Sequence, residues 1–144
     1  MNQTDRSGVV VGVDGSEHSK QALAWAVRWA KLQGEPLVAV AVWHFPVAWG
    51  WAVPVPDDYD PEAAATRMVG DVVTEVLGEH PEVEIRTEVV SGQPANVLVD
   101  QSSRAALVVV GSRGHGEFAG MLLGSVSTFV VTHAHCPVVV VRDD

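Results

Sequence analysis

The residues with the clearest chemical potential lie in a glycine-rich segment that follows an apolar stretch. Gly111-Ser112-Arg113-Gly114 comes directly after Leu107-Val108-Val109-Val110, and nine residues separate it from Gly124-Ser125-Val126-Ser127. The pattern predicts a strand, a glycine-rich loop and the start of a helix. Glycine lets backbone N–H groups approach phosphate oxygens, and a helix N-terminus offers unpaired N–H donors with a partial positive charge. The segment is therefore typical of a phosphate-binding site.

A second glycine turn lies near the N-terminus, in Gly12-Val13-Asp14-Gly15-Ser16. It ends an apolar stretch that begins at Gly8, and it carries the carboxylate of Asp14. Arg113 is the only Lys or Arg between positions 111 and 127. A phosphate ligand would therefore depend on backbone donors, on the hydroxyls of the helix start and on this one guanidinium.

Apolar runs alternate with helical patterns along the chain. Strands are predicted over 8–13, 37–43, 83–89, 107–110 and 137–142, and helices over 16–32, over 60–78, from 94 and after the glycine-rich loop. Most strands are apolar on both faces, which is typical of a parallel sheet covered by helices on both sides. The sequence predicts an α/β fold, an open five-stranded parallel sheet in a single domain over residues 1–144.

The order of the strands follows from the third one, in which Val83 to Val89 alternate between apolar and polar residues. One face of that strand is expected to meet water, which places it at a sheet edge. Right-handed crossovers then favour the order 3-2-1-4-5. Strands 1 and 4 become neighbours at the topological switch point, where their carboxyl ends carry Asp14 and Gly111. Both glycine turns are therefore expected to line one crevice.

Two further segments suggest partners. The last strand, 137–142, contains four consecutive valines and no guarding charge within them, which favours pairing with a second copy as a homodimer. The segment from His44 to Pro56 is apolar but contains three prolines, so no regular element is expected there. Its aromatic side chains either pack against the domain or meet a partner or ligand.

Composition limits the classes of function. The chain has 144 residues, a formal charge of −9 and one cysteine, Cys136. The negative charge argues against nucleic acid and anionic membranes as partners. No apolar run reaches the length of a membrane span, and Met1 to Ser7 lack the features of a secretory signal. With no internal disulfide possible, we expect a cytoplasmic protein.

The motifs together resemble the universal stress protein family, in its nucleotide-binding branch. The likeness covers nearly the whole chain and includes Val11 to Ser16, Ser91 to Pro94 and Cys136 to Arg142. The family's ATP signature, G-x2-G-x9-G-[ST], is met by Gly111, Gly114, Gly124 and Ser125.

The resemblance implies a Rossmann-like domain, similar to the adenine nucleotide alpha hydrolases, that binds ATP with Mg²⁺. Asp14 would contact the ribose or a metal–phosphate group, and Gly12, Val13, Val42 and Val110 would line the adenine pocket. The ribose and phosphates would be held by Gly111, Gly114, Gly124, Ser125, Val126 and Ser127. The resemblance also implies a dimeric, nucleotide-dependent regulator of the stress response with a further protein partner.

Other chemistries are less well supported. A slow ATP hydrolase could use the same pocket, with Glu117 and His115 as the nearby candidates for positioning water, but the P-loop lysine is absent. Gly114 to Ala119 fit G-x-G-x-x-A, yet no acid follows about 20 residues later, as a dinucleotide enzyme needs. His133, His135 and Cys136 are too crowded for a zinc site. The regulatory module is the main hypothesis.

Overall fold

The computed structural model describes residues 6–113 and 123–142. In chain order the elements are β1 Val9–Gly12, α1 Glu17–Gln33, β2 Leu37–Trp43, β3 Val47–Ala48, β4 Trp51–Ala52, α2 Pro61–Leu77, β5 Ile85–Ser91, α3 Pro94–Ser102, β6 Leu107–Gly111, α4 Ser125–His133 and β7 Val138–Val141. Among the described residues no helix is long and apolar enough to cross a membrane.

The main sheet has five strands, all pairing in parallel, in the order β5-β2-β1-β6-β7. Without the short strands β3 and β4, this is the predicted order 3-2-1-4-5, and the α/β fold is confirmed. β5 is an edge strand, as its alternating sequence indicates, and Arg86 is exposed. β1 and β6 are neighbours, so the two glycine turns leave the sheet side by side.

Each face of the sheet has its own apolar cluster, because side chains alternate along every strand. Val9 and Val11 of β1 lie in a cluster with Leu23 of α1 and Val69 of α2. On the opposite face a second cluster joins residues of β1, β2 and β6 to α3 and α4, and its members include Val10, Leu98 and Val130. The two helix layers therefore fix the sheet from both sides.

Local signals in the sequence set the starts of α1 and α2. Ser16 is the N-cap of α1, and its hydroxyl accepts from the Ser19 N–H at 3.2 Å. Asp60 is the N-cap of α2 and accepts from the Ala63 N–H at 3.0 Å, with Pro61 as the first helical residue. These caps satisfy backbone donors that have no acceptor within the helix. Both helix starts were predicted within one residue.

Two lysines of α1 form ion pairs with glutamates. Lys20 contacts Glu75 of α2 at 3.1 Å and Glu17 at 3.3 Å, and these hydrogen bonds raise the pKa of Lys20. Lys31 pairs with Glu82, which lowers the pKa of the Glu82 carboxyl. The acidic partners and Lys31 are exposed and Lys20 is partly exposed, so we expect these pairs to contribute little to stability.

The prediction that residues 44–56 form no regular element was wrong. β3 and β4 pair in antiparallel fashion, with Val47 opposite Ala52 and Ala48 opposite Trp51. The chain reverses through Trp49 and Gly50, whose φ angles are 55° and 81°, as expected for a two-residue hairpin turn. The prolines flank the paired residues, so none of them removes a hydrogen bond from this short ladder.

Candidate functional site

A crevice opens at the carboxyl end of the sheet, where β1 and β6 lie side by side. It has a volume of about 610 Å³ including its open mouth. Its lining comprises Gly12, Val13, Asp14, Ser19, Val40, Val42, Pro94, Leu98, Val110, Gly111, Arg113, Gly124, Val126 and Ser127. The switch point of an open α/β sheet is the place where such folds bind ligands.

The crevice brings together most of the residues that the sequence singled out. Ten of them line it: Gly12, Val13, Asp14, Val42, Val110, Gly111, Arg113, Gly124, Val126 and Ser127. Ser125 is exposed as the first residue of α4 and is not among the lining residues. Gly114 lies outside the described residues. Ser19, Val40, Pro94 and Leu98 line the crevice but were not predicted as site residues.

One end of the crevice is apolar. Val40 and Val42 come from β2 and Val110 from β6, while Leu98 of α3 is buried. A Cβ on Gly12 would lie only 2.9 Å from Leu98 Cδ1, so the Leu98 side chain packs directly against this glycine at the end of β1. Pro94 marked the start of α3 in the sequence, but its place beside the crevice depends on how α3 packs. The apolar end suits a flat, weakly polar group.

The other end is formed by the first turn of α4. The Gly124 N–H donates to the Ser112 carbonyl at 2.6 Å. The buried Ser127 hydroxyl is 3.0 Å from the same oxygen and 3.1 Å from the Gly124 carbonyl, and can donate to either. This hydroxyl therefore fixes the helix start against the end of β6. Backbone N–H groups of the first turn have no acceptor within the helix and suit an anion.

Gly111 has a packing role that the sequence did not reveal. A Cβ at this position would lie 2.7 Å from both the backbone carbon and the backbone oxygen of His18. The first turn of α1 therefore passes directly against the end of β6, and His18 Nδ1 lies 3.5 Å from the Ser112 hydroxyl. The sequence suggested that Gly111 gives room to phosphate, and the structure shows that it also gives room to a helix.

Asp14 lies at the exposed rim of the crevice. Its Oδ1 accepts from the Ser16 N–H at 2.9 Å and from the Ser16 hydroxyl at 2.5 Å, which holds the turn before α1. Among the described lining residues it is the only carboxylate. Mg²⁺ in nucleotide sites is usually held by one or two carboxylates together with phosphate oxygens. The position of Asp14 fits that role, or that of an acceptor for a ribose hydroxyl.

The sequence also raised a metal site near the C-terminus and two residues that could position water. Within residues 6–113 and 123–142 no group of three or more His, Cys, Asp or Glu side chains is placed to hold a metal ion. His133 Nδ1 is 2.9 Å from the Phe129 carbonyl, to which it can donate. Burial raises the pKa of the Cys136 thiol. His115 and Glu117, the residues considered for positioning water, lie outside the described residues.

The comparison with known proteins decides the family. The model of the universal stress protein family matches residues 7–142. The chain belongs to the universal stress protein family. A universal stress protein of Mycobacterium tuberculosis (strain ATCC 25618 / H37Rv) is 37% identical over 142 residues, which cover 95% of this chain and 48% of that protein. The chain spans about half the length of the curated relatives it matches.

Solved structures of the family show the same fold. A universal stress protein in complex with cAMP is 29% identical with a TM-score of 0.67, covering 97% of this chain and 99% of that one. A universal stress protein from Lactobacillus plantarum has a TM-score of 0.75 at 24% identity, covering 94% of this chain and 97% of that one. The second likeness supports the fold alone.

Proposed function

We propose that this universal stress protein binds an adenine nucleotide, ATP with Mg²⁺, and acts as a dimeric, nucleotide-dependent regulatory module in the stress response. The observation that supports this most is the shape of the crevice, which has an apolar end under α3 and a helix start at the other end. A base suits the first and phosphates suit the second. The related protein in complex with cAMP supports an adenine ligand.

In this proposal the base lies between Val42 and Val110, above Leu98. The ribose lies beside Asp14, and the phosphates face the N-terminus of α4 with the Arg113 side chain as the nearby cation. The formal charge of −9 repels a nucleotide at long range. Its affinity must therefore come from short-range donors and from apolar contact rather than from electrostatic attraction to the whole protein.

Calorimetry should distinguish the nucleotides. We expect one site per chain and tighter binding of ATP than of AMP by about tenfold or more. The β- and γ-phosphates add charge-assisted hydrogen bonds, which contribute about 1.5–3 kcal/mol each. Removing Mg²⁺ should weaken ATP binding more than AMP binding. Titrations of the full chain with ATP, ADP, AMP and cAMP would test this, and absence of binding for all four would refute the proposal.

The alternative function, a slow ATP hydrolase, uses the same pocket. Its turnover rate distinguishes it from a module that only binds nucleotide. Efficient phosphoryl transfer needs a group that orients the nucleophile and groups that neutralise charge. Steady-state phosphate release measured with the full chain would favour an enzyme if it reached the common range of about 1–1000 per second.

The dimer part of the proposal rests on β7. The Val108 N–H donates to the Pro137 carbonyl at 3.1 Å, and the Ser112 N–H donates to the Val141 carbonyl at 2.9 Å. In a parallel ladder, every second residue directs its backbone hydrogen-bonding groups toward the neighbouring strand. Pro137 and Val141 direct theirs toward β6, so those of Val138 and Val140 point toward the open edge. The side chains of all four valines are already half-buried against the domain. Backbone pairing, more than valine burial, would therefore drive association.

A proline at position 140 should weaken the dimer and leave the fold of the chain intact. Val140→Pro removes an N–H that faces the open edge and leaves the ladder to β6 intact, so a dimer paired through β7 should weaken at least tenfold. Val140→Ala trims the same side chain but keeps the N–H, so it should stay dimeric. Sedimentation velocity at micromolar concentration provides the measurement. A monomeric parent, or a Val140→Pro variant that stays dimeric, would rule out this interface.

A further inference from the structure

The hairpin β3–β4 exposes a set of aromatic and apolar side chains to solvent. This aromatic patch consists of Phe45, Trp49, Trp51, Val53 and Tyr59. Trp49 is 97% exposed and Trp51 is 78% exposed. The idea that these aromatic residues pack against the domain is therefore wrong for the two tryptophans. Several large apolar side chains exposed on one short hairpin and the segment after it are typical of a binding site.

Ring contacts and a backbone hydrogen bond hold the hairpin that carries the aromatic patch. Phe45 makes an edge-to-face contact with Trp43 at 5.6 Å between ring centroids and a tilted contact with Tyr59 at 6.1 Å. The Val53 N–H donates to the Pro46 carbonyl at 3.0 Å, which extends the hairpin beyond its two paired residues on each strand. These contacts fix the direction in which the hairpin leaves the sheet. The tryptophans are therefore presented by a defined structure.

The turn gives a second reason to expect a role outside the domain. Trp49 has a φ of 55°, a left-handed conformation that is unfavourable for a bulky residue. Its side chain gains almost no burial in return, because it is nearly fully exposed. A residue that strains the backbone and is almost completely exposed contributes little to the stability of this fold. Contact with another molecule would account for both features.

The charge around the patch indicates the chemistry of that molecule. No Lys or Arg occurs between Gln33 and Thr66. Asp57 and Asp58 are exposed beside Tyr59, and neither takes part in an ion pair with any residue that the structure describes. An anionic bilayer or a nucleic acid would be repelled here. A cationic segment would find the carboxylates of Asp57 and Asp58 beside Tyr59, and the exposed tryptophan rings of the same hairpin also attract guanidinium and ammonium groups.

We propose that the aromatic patch docks a short segment of a partner protein in which Arg or Lys stands beside apolar side chains. Its cations would lie over the rings of Trp49 or Trp51 or pair with the carboxylates of Asp57 and Asp58, while the apolar side chains cover the rest of the patch. The hairpin follows β2, so it lies at the same end of the sheet as the crevice. The proposal does not depend on nucleotide binding.

The test uses the full chain and a random dodecapeptide phage library. We expect enriched peptides to carry Arg or Lys next to apolar residues. The dissociation constant of a synthetic, fluorescently labelled enriched peptide should rise about tenfold or more when Trp49→Ser and Trp51→Ser are combined, because two aromatic anchors are lost. Asp57→Asn with Asp58→Asn, or 0.5 M salt, should raise it about threefold.

Matched controls make the outcome decisive. Leu32 is 83% exposed near the C-terminal end of α1, at the opposite end of the sheet, and Leu32→Ser should leave peptide affinity unchanged. Glu79→Gln removes an exposed carboxylate elsewhere and should also have no effect. Circular dichroism checks that each variant folds.

Four results would overturn the proposal. In the first, no peptide is enriched in a way that depends on the tryptophans, and in the second, the enriched peptides carry no cation. In the third, the tryptophan variant converts a dimer to a monomer. In the fourth, the protein binds neutral phosphatidylcholine vesicles through the tryptophans. The third would show that a second copy covers the patch. The fourth would show that a lipid surface does.

Discussion

Replacing Gly111 with alanine is expected to lower the free energy of unfolding by about 3 kcal/mol, the upper part of the usual range for overpacking. The added Cβ would lie 2.7 Å from the His18 backbone, and backbone atoms cannot turn aside as a side chain can. Either α1 moves away from β6 or the end of β6 shifts. Both the fold and the crevice should be affected. Urea unfolding followed by circular dichroism measures the loss.

Gly70 provides the matched control. It lies within α2, and a Cβ there would meet nothing within 4 Å. Alanine is the better helix former, so Gly70→Ala should raise the free energy of unfolding by about 0.5–1 kcal/mol. A Gly111→Ala protein as stable as the parent, with nucleotide affinity reduced, would mean that Gly111 matters for the ligand and not for the packing of α1.

Replacing Asp14 with alanine should weaken the binding of ATP in the presence of Mg²⁺ by about 1–3 kcal/mol, or about 5-fold to 150-fold. That is the range for leaving a polar group without its hydrogen-bond partner. In the proposed site the carboxylate accepts from a ribose hydroxyl or helps to hold the metal ion. Calorimetry on the parent and the variant under identical salt provides the measurement.

Asp14 also holds the turn before α1, so its replacement needs a control for stability. Ser16→Ala removes one partner of the Asp14 carboxylate and the N-cap of α1. It should cost about 1 kcal/mol of stability and leave the carboxylate at the crevice. We expect nearly unchanged ATP affinity for Ser16→Ala. Equal losses of affinity in both variants would mean that Asp14 acts through the turn rather than on the ligand.

The sequence was sufficient for the features that depend on local rules. Caps at Ser16 and Asp60 predicted two helix starts, and alternation in β5 placed that strand at an edge. Right-handed crossovers left few strand orders, and the edge position of β5 favoured the one that brings Asp14 and Gly111 to the same crevice. Each step uses the periodicity of one segment or the handedness of one connection, and both are readable without knowing any distant contact.

The tertiary structure decided what depends on contacts between distant segments. Leu98 reaches the crevice because α3 packs against the end of β1, and Gly111 is required because His18 passes it. No rule of spacing along the chain links such pairs. The hairpin was missed because Trp49 and Gly50 do not form the Asn-Gly or Asp-Gly pair that usually marks such a turn. Periodicity predicts which elements form, whereas packing decides which side chains of distant elements meet.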